Sequence, residues 1–141
     1  MDENEAGGIV RGRSLLLATD GKPHSMKAAQ YAIELASLAS SRLYIIYVVS
    51  SSSDPSKQAA IDEGMRQLDE LKSLAAASGV EATTLLEGGS IYEAVLSAAD
   101  RIHAGAIVVG TSEKSTLDRV LIGSVSEFVV RNSRCSVIVV R

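Results

Sequence analysis

A glycine-bounded loop toward the C-terminus carries the residue types that hold an anion. The chain there reads Ala106-Ile-Val-Val-Gly110-Thr-Ser-Glu113-Lys-Ser-Thr-Leu-Asp-Arg-Val-Leu-Ile-Gly123-Ser124-Val-Ser-Glu127. A buried apolar strand ends on Gly110, a polar loop follows, and Gly123-Ser124 opens a helix. Free backbone N–H groups, a hydroxyl and the positive end of a helix dipole then meet at the edge of a sheet, which is what a phosphate needs. Gly110 lets a ligand approach the backbone, or simply lets a strand turn. Ser124 can cap its helix and still leave other N–H groups for an anion. Lys114 and Arg119 can neutralise phosphate charge or serve as ordinary loop cations.

The other chemical candidate is Asp20, in Thr19-Asp20-Gly21 at the end of the first apolar run. A carboxylate there can accept a hydrogen bond from an adenine amino group or a ribose hydroxyl, bind Mg²⁺, or cap the following helix. Gly21-Lys22-Pro23 is also a turn signal in its own right. Sharper motifs are missing. Gly105 to Thr111 mimics the opening of a P-loop but lacks the lysine and lies inside a strand. No G-x-G-x-x-G follows the first strand, and no G-x-S-x-G elbow presents a nucleophile. His24 and His103 stand far apart without partners at metal-ligand spacing. Cys135, beside a buried strand, reads as a small core or edge residue rather than a reactive thiol.

These residues need a scaffold, and the apolar runs supply one. Strands are expected at Ser14 to Thr19, Leu43 to Val49, Val80 to Leu86, Ala106 to Gly110 and Ser136 to Val140. Most runs are continuous, as in strands covered on both faces; the third alternates more and belongs at an edge. Helical stripes lie between them: Ala29, Ala32, Ile33, Ala36 and Ala39; Ile61, Met65, Leu68 and Ala75; Ile91, Val95, Ala98 and Ile102; and a short one with Val125, Phe128 and Val129. Ser90-Ile-Tyr-Glu93 and Ser124-Val-Ser-Glu127 have capping-box form, and Asp54-Pro55 suits a helix start.

Strict β-α alternation predicts a single-domain α/β fold: a five-stranded parallel sheet with right-handed crossovers and helices on both faces. Such sheets bind ligands outside the carboxyl ends of their strands, where the strand order reverses. The glycine loop follows the fourth strand, which favours the order 3-2-1-4-5 and puts Asp20 and Gly110 on one crevice. The same order leaves Ser136-Val-Ile-Val-Val140 at a sheet edge, apolar and β-branched, without proline or inward lysine. An unprotected edge of that kind pairs with a second copy, so a homodimer through the fifth strand is expected.

Bulk properties narrow the functional classes. The 141 residues are 46% hydrophobic and 22% charged, enough for one domain with a sizeable core. A net charge of −3 argues against a nucleic-acid partner. No apolar run approaches the ~20 residues that span a bilayer, so no membrane partner is expected. The acidic, glycine-bearing start has no apolar core and does not read as a signal peptide, so residues 1–10 are expected to form a disordered tail. One cysteine cannot form an internal disulfide, and the default location is cytoplasmic.

From Arg13 to Arg141 the chain resembles the universal stress protein family. Leu15-Leu-Leu-Ala-Thr-Asp20-Gly21, with Ser25 and Ala28 to Ala36, looks like the family's opening; Gly88 sits where the family has a glycine after its third strand. Gly123-Ser124-Val-Ser and Cys135-Ser-Val-Ile-Val-Val140 are similar to its C-terminal signature, with Ser136 in place of a proline. The nucleotide-binding branch carries G-x2-G-x9-G-[ST], and Gly110, Gly123 and Ser124 match it at the right spacing, with Glu113 at the second glycine.

The resemblance implies a universal stress protein domain over 11–141 that binds an adenine nucleotide, ATP foremost, with or without Mg²⁺, as a regulatory or sensing dimer. It implies Asp20 and Val48 at adenine, Ala18 and Gly110 at the ribose, and Gly123 with Ser124 at the phosphates. Thr19, Val125 and Ser126 complete the binding set. A Glu113 charge facing the phosphates would weaken binding, since each charge pair at ~5 Å and an effective dielectric of about 20 costs roughly 3 kcal/mol. The alternatives are a protein-interaction module without nucleotide and a slow ATPase. The enzyme reading is disfavoured, because no base is positioned for water and no P-loop lysine is present.

Overall fold

The apolar runs assemble into one parallel sheet in the computed structural model, which describes residues 8, 10–22, 25–50, 56–111 and 124–141. The strands are β1 (Ser14–Ala18), β2 (Leu43–Val49), β3 (Ala82–Gly88), β4 (Ala104–Gly110) and β5 (Ser136–Val140). The helices are α1 (Met26–Ala39), α2 (Lys57–Ala77), α3 (Ile91–Arg101) and α4 (Ser124–Asn132). The sheet order is β3-β2-β1-β4-β5, as the glycine loop after the fourth strand predicts. Every neighbouring pair is parallel, with Leu17 level with Ile45 on one side and with Val108 on the other.

Side-chain alternation along the strands divides the core in two. Leu15, Leu17, Leu43, Ile45, Ala106 and Val108 pack under α1 and α2. Leu16, Ile46, Ile107 and Val109 face the opposite way, under α3 and α4. Two of the three inner strands, β1 and β4, are buried on both faces, which is why their sequences run apolar without a break. Each fully buried leucine there contributes roughly 1.5–3 kcal/mol relative to exposure. The alanine stripe of α1, Ala28, Ala29, Ala32 and Ala36, keeps that helix close to the sheet.

Several boundaries differ from the sequence reading. β3 starts at Ala82 rather than Val80, because the Val80 N–H is used to close α2 on the Ala75 carbonyl. β4 starts two residues early, at Ala104, because Ala104 and Gly105 are buried along with the apolar run. Met65 leaves the expected stripe and is 53% exposed; the buried positions of α2 are Gly64, Leu68, Leu71 and Ala75. A Cβ at Gly64 would stand 2.7 Å from Tyr47 Cδ1, so this glycine lets α2 rest on the Tyr47 ring. Ser90 is the N-cap of α3 as expected, although its side chain makes no capping hydrogen bond. Ser124 is the first described residue of α4. Asp54-Pro55 lies outside the described residues, and α2 begins at Lys57 after Ser56.

Candidate functional site

The chain leaves β1 for α1 on one face of the sheet and leaves β4 for α4 on the other. β1 and β4 are neighbours, so the strand order reverses between them, and sheets of this kind bind ligands over the carboxyl ends at that point. Ala18 is the last residue of β1 and Gly110 the last of β4; Ser124, Val125 and Ser126 form the first turn of α4. Ala18, Val48 and Val125 all pack, half-buried, against the α3/α4 side of the core. The residues expected at the site therefore converge on one end of the sheet. Gly123, Glu113, Lys114 and Arg119 lie outside the described residues.

The Asp20 turn is held from inside the protein. Asp20 Oδ1 accepts the Lys22 N–H at 2.9 Å, and Thr19 Oγ1 accepts the Gly21 N–H at 3.1 Å. Gly21 has φ +74°, a conformation that favours glycine. Ser25 Oγ donates to the Lys22 carbonyl at 2.7 Å, which uses its only proton. The 3.2 Å contact between Thr19 Oγ1 and Ser25 Oγ is then a bond in which Thr19 donates. Both hydroxyls are buried, at 5% and 8% exposure, and both are satisfied. The helix-capping alternative for Asp20 gives way to this turn, since Ser25 occupies the N-cap position of α1.

On the α1/α2 face, the Tyr47 ring lies against Gly64 and Gly21: a Cβ on Gly21 would stand 3.0 Å from Tyr47 Cε2. Burial raises the Tyr47 phenol above its ordinary value, and the Glu63 and Asp20 carboxylates raise it further. Glu63 is held down to about 2 by hydrogen bonds from Arg66 and Gln67. The Asp20 carboxylate thus contributes to a negative field around the end of β2.

Across the crevice, Ser126 is 4% exposed and its hydroxyl donates to the Gly110 carbonyl. Gly110 has no left-handed φ, and among the described residues a Cβ there would meet only Ala28 Cβ, at an ordinary 3.7 Å. Neither its φ nor the packing of the described residues requires a glycine at this position. Two residues that the sequence reading did not assign to the site also belong to its surroundings. Ile91 packs on the same half of the core as Val48 and Val125, and the Tyr92 hydroxyl donates to Ser124 Oγ at 3.3 Å. The signal was available in Ser90-Ile-Tyr-Glu93, a helix start directly after a strand, which in such sheets falls at the ligand end. Cys135, half-buried beside β5, packs on the core with its thiol 3.3 Å from Ser133 Oγ, as a small edge residue does.

An open, doubly wound α/β domain whose strand order reverses between β1 and β4 is the class these features define. Residues 12–141 match the model of the universal stress protein family, and the chain belongs to that family. It is 34% identical over 140 residues to universal stress protein MJ0531 of Methanocaldococcus jannaschii, covering 92% of this chain and 82% of the relative. Among solved structures, the universal stress protein from Archaeoglobus fulgidus superposes with a TM-score of 0.82 at 23% identity, covering 92% of this chain and 98% of the other. A universal stress protein in complex with cAMP superposes with a TM-score of 0.75 at 27% identity, covering 93% and 98%. Among the described residues, no helix is long and apolar enough to cross a membrane.

Proposed function

We propose that this chain binds an adenine nucleotide in the crevice between β1 and β4 and acts as a cytoplasmic regulatory dimer in a stress response. The observation that carries the reading is Gly110: among the described residues, neither its φ nor the packing around it demands a glycine. A ligand that lies against the strand end accounts for that choice. Asp20, fixed in its turn, offers a carboxylate to the adenine amino group or to the ribose. Val48 and Ala18 offer apolar surface to the base and sugar, and the first turn of α4 offers N–H groups and the Ser124 hydroxyl to phosphate. The family relative in complex with cAMP supports an adenine nucleotide as the ligand class.

Calorimetric titration with ATP, AMP and cAMP, with and without Mg²⁺, tests the proposal. Binding at micromolar to sub-millimolar concentration is expected, and Gly110→Ala should weaken it at least tenfold with an unchanged melting temperature. Glu113→Gly should tighten ATP by one or two powers of ten, at ~1.4 kcal/mol per decade, and leave adenosine unchanged. No heat with millimolar ATP, AMP or cAMP would leave the protein-interaction module as the function.

A further inference from the structure

The phenol of Tyr92 is placed to decide how Ser124 uses its proton. Tyr92 is the second residue of α3, and its ring meets Phe128 of α4 edge-on, with centroids 5.1 Å apart and planes at 63°. This ring pair ties the start of α3 to the first turns of α4. With the ring so held, the phenol O–H points at Ser124 and donates to its Oγ at 3.3 Å.

A serine hydroxyl has one donor and two acceptor sites. A proton received from Tyr92 fills one acceptor site and leaves the Ser124 O–H available to donate outward. As the first residue of α4, Ser124 also stands where the helix dipole favours a negative acceptor. We infer that Tyr92 is a positioning residue that orients the Ser124 hydroxyl to donate to an anionic phosphate, and that it thereby favours nucleotides over nucleosides. The inference rests on the nucleotide reading above.

The geometry has room to tighten. At 3.3 Å the bond is longer than the usual O–H···O distance, as such contacts often are before a ligand arrives. Donation from Ser124 to a charged oxygen polarises its hydroxyl and strengthens the bond it accepts from Tyr92. Adenosine, with no anion at this end, does not engage the chain Tyr92–Ser124–phosphate.

The test is a double-mutant cycle with Tyr92→Phe, Ser124→Ala and the pair, titrated with AMP and with adenosine, alongside thermal unfolding of each variant. Phenylalanine keeps the ring contact with Phe128, so Tyr92→Phe should melt with the native protein. It should lose AMP affinity roughly three- to tenfold, the scale of one charge-assisted hydrogen bond weakened. Adenosine should change less than twofold, and the double variant should bind AMP no more weakly than Ser124→Ala alone. Tyr92→Phe binding AMP like the native protein, losing both ligands equally, or adding its full loss to that of Ser124→Ala would each overturn the assignment while leaving the nucleotide reading intact. Native protein that binds neither AMP nor adenosine would remove both.

Discussion

The Ser126 hydroxyl donates to the carbonyl oxygen of Gly110, 16 residues earlier in the chain, and so fastens the first turn of α4 to the end of β4. The two residues bracket the glycine loop, and the bond is made by a hydroxyl sealed from water. Ser126→Ala removes the donor and leaves the carbonyl without it. The expected cost is about 1–2 kcal/mol of stability, seen as a melting temperature lower by roughly 3–8 °C. Nucleotide affinity should fall with it, because the α4 turn that offers its N–H groups loses its anchor. A variant that melts with the native protein would show that the bond adds nothing.

Gly64→Ala is expected to destabilise, against the usual gain of about 1 kcal/mol for alanine over glycine in a helix. The added methyl would lie 2.7 and 2.9 Å from two Tyr47 ring atoms and 3.1 Å from Leu86 Cδ1. The ring has little freedom to yield, since Gly21 stands on it as well. Overpacking costs about 1–3 kcal/mol, so a net loss is predicted, measured by denaturant unfolding. In the Tyr47→Ala background, where the clash is absent, the same change should be neutral or stabilising.

Tyr47 also predicts an alkaline limit. Its folded pKa is raised above the ordinary 10.0, first by burial and then by the Glu63 and Asp20 carboxylates. Above pH 10 the unfolded chain releases that proton more readily than the folded one, so unfolding gains and stability falls as pH rises through the folded value. The contribution is complete below the unfolded pKa. Tyr47→Phe should therefore flatten the decline in stability above pH 10, relative to the native protein. An identical slope in both would mean that the phenol does not drive the alkaline loss.

β5 lies at the sheet edge next to β4, and its residues from Val137 to Val140 are only half-buried within one copy. Ile138 and Val140 lean on the α1/α2 side of the core, Val137 and Val139 on the other. A second copy pairing antiparallel along this strand would cover the edge. Ile138→Lys or Val139→Lys, whichever faces the partner, should raise the monomer fraction in light scattering with the helical signal intact. Native protein that scatters as a monomer at tens of micromolar would refute the dimer.

The strand order was legible in the sequence because it follows from local patterns and general handedness. Five apolar runs separated by helical stripes dictate a parallel sheet, and a glycine loop after the fourth run marks where the order reverses. Leu43–Val49 and Ser136–Val140 were bounded correctly because turn residues flank them. What the tertiary structure decided is who touches whom across long separations. Periodicity placed Met65 in the core, but the Tyr47 ring from another strand selects Gly64 for the buried face of α2. The motif put Ser124 at a helix start, yet its partner is Tyr92, 32 residues away on a different helix. No local pattern encodes such a pairing, because it exists only once α3 and α4 have packed on the same face of the sheet.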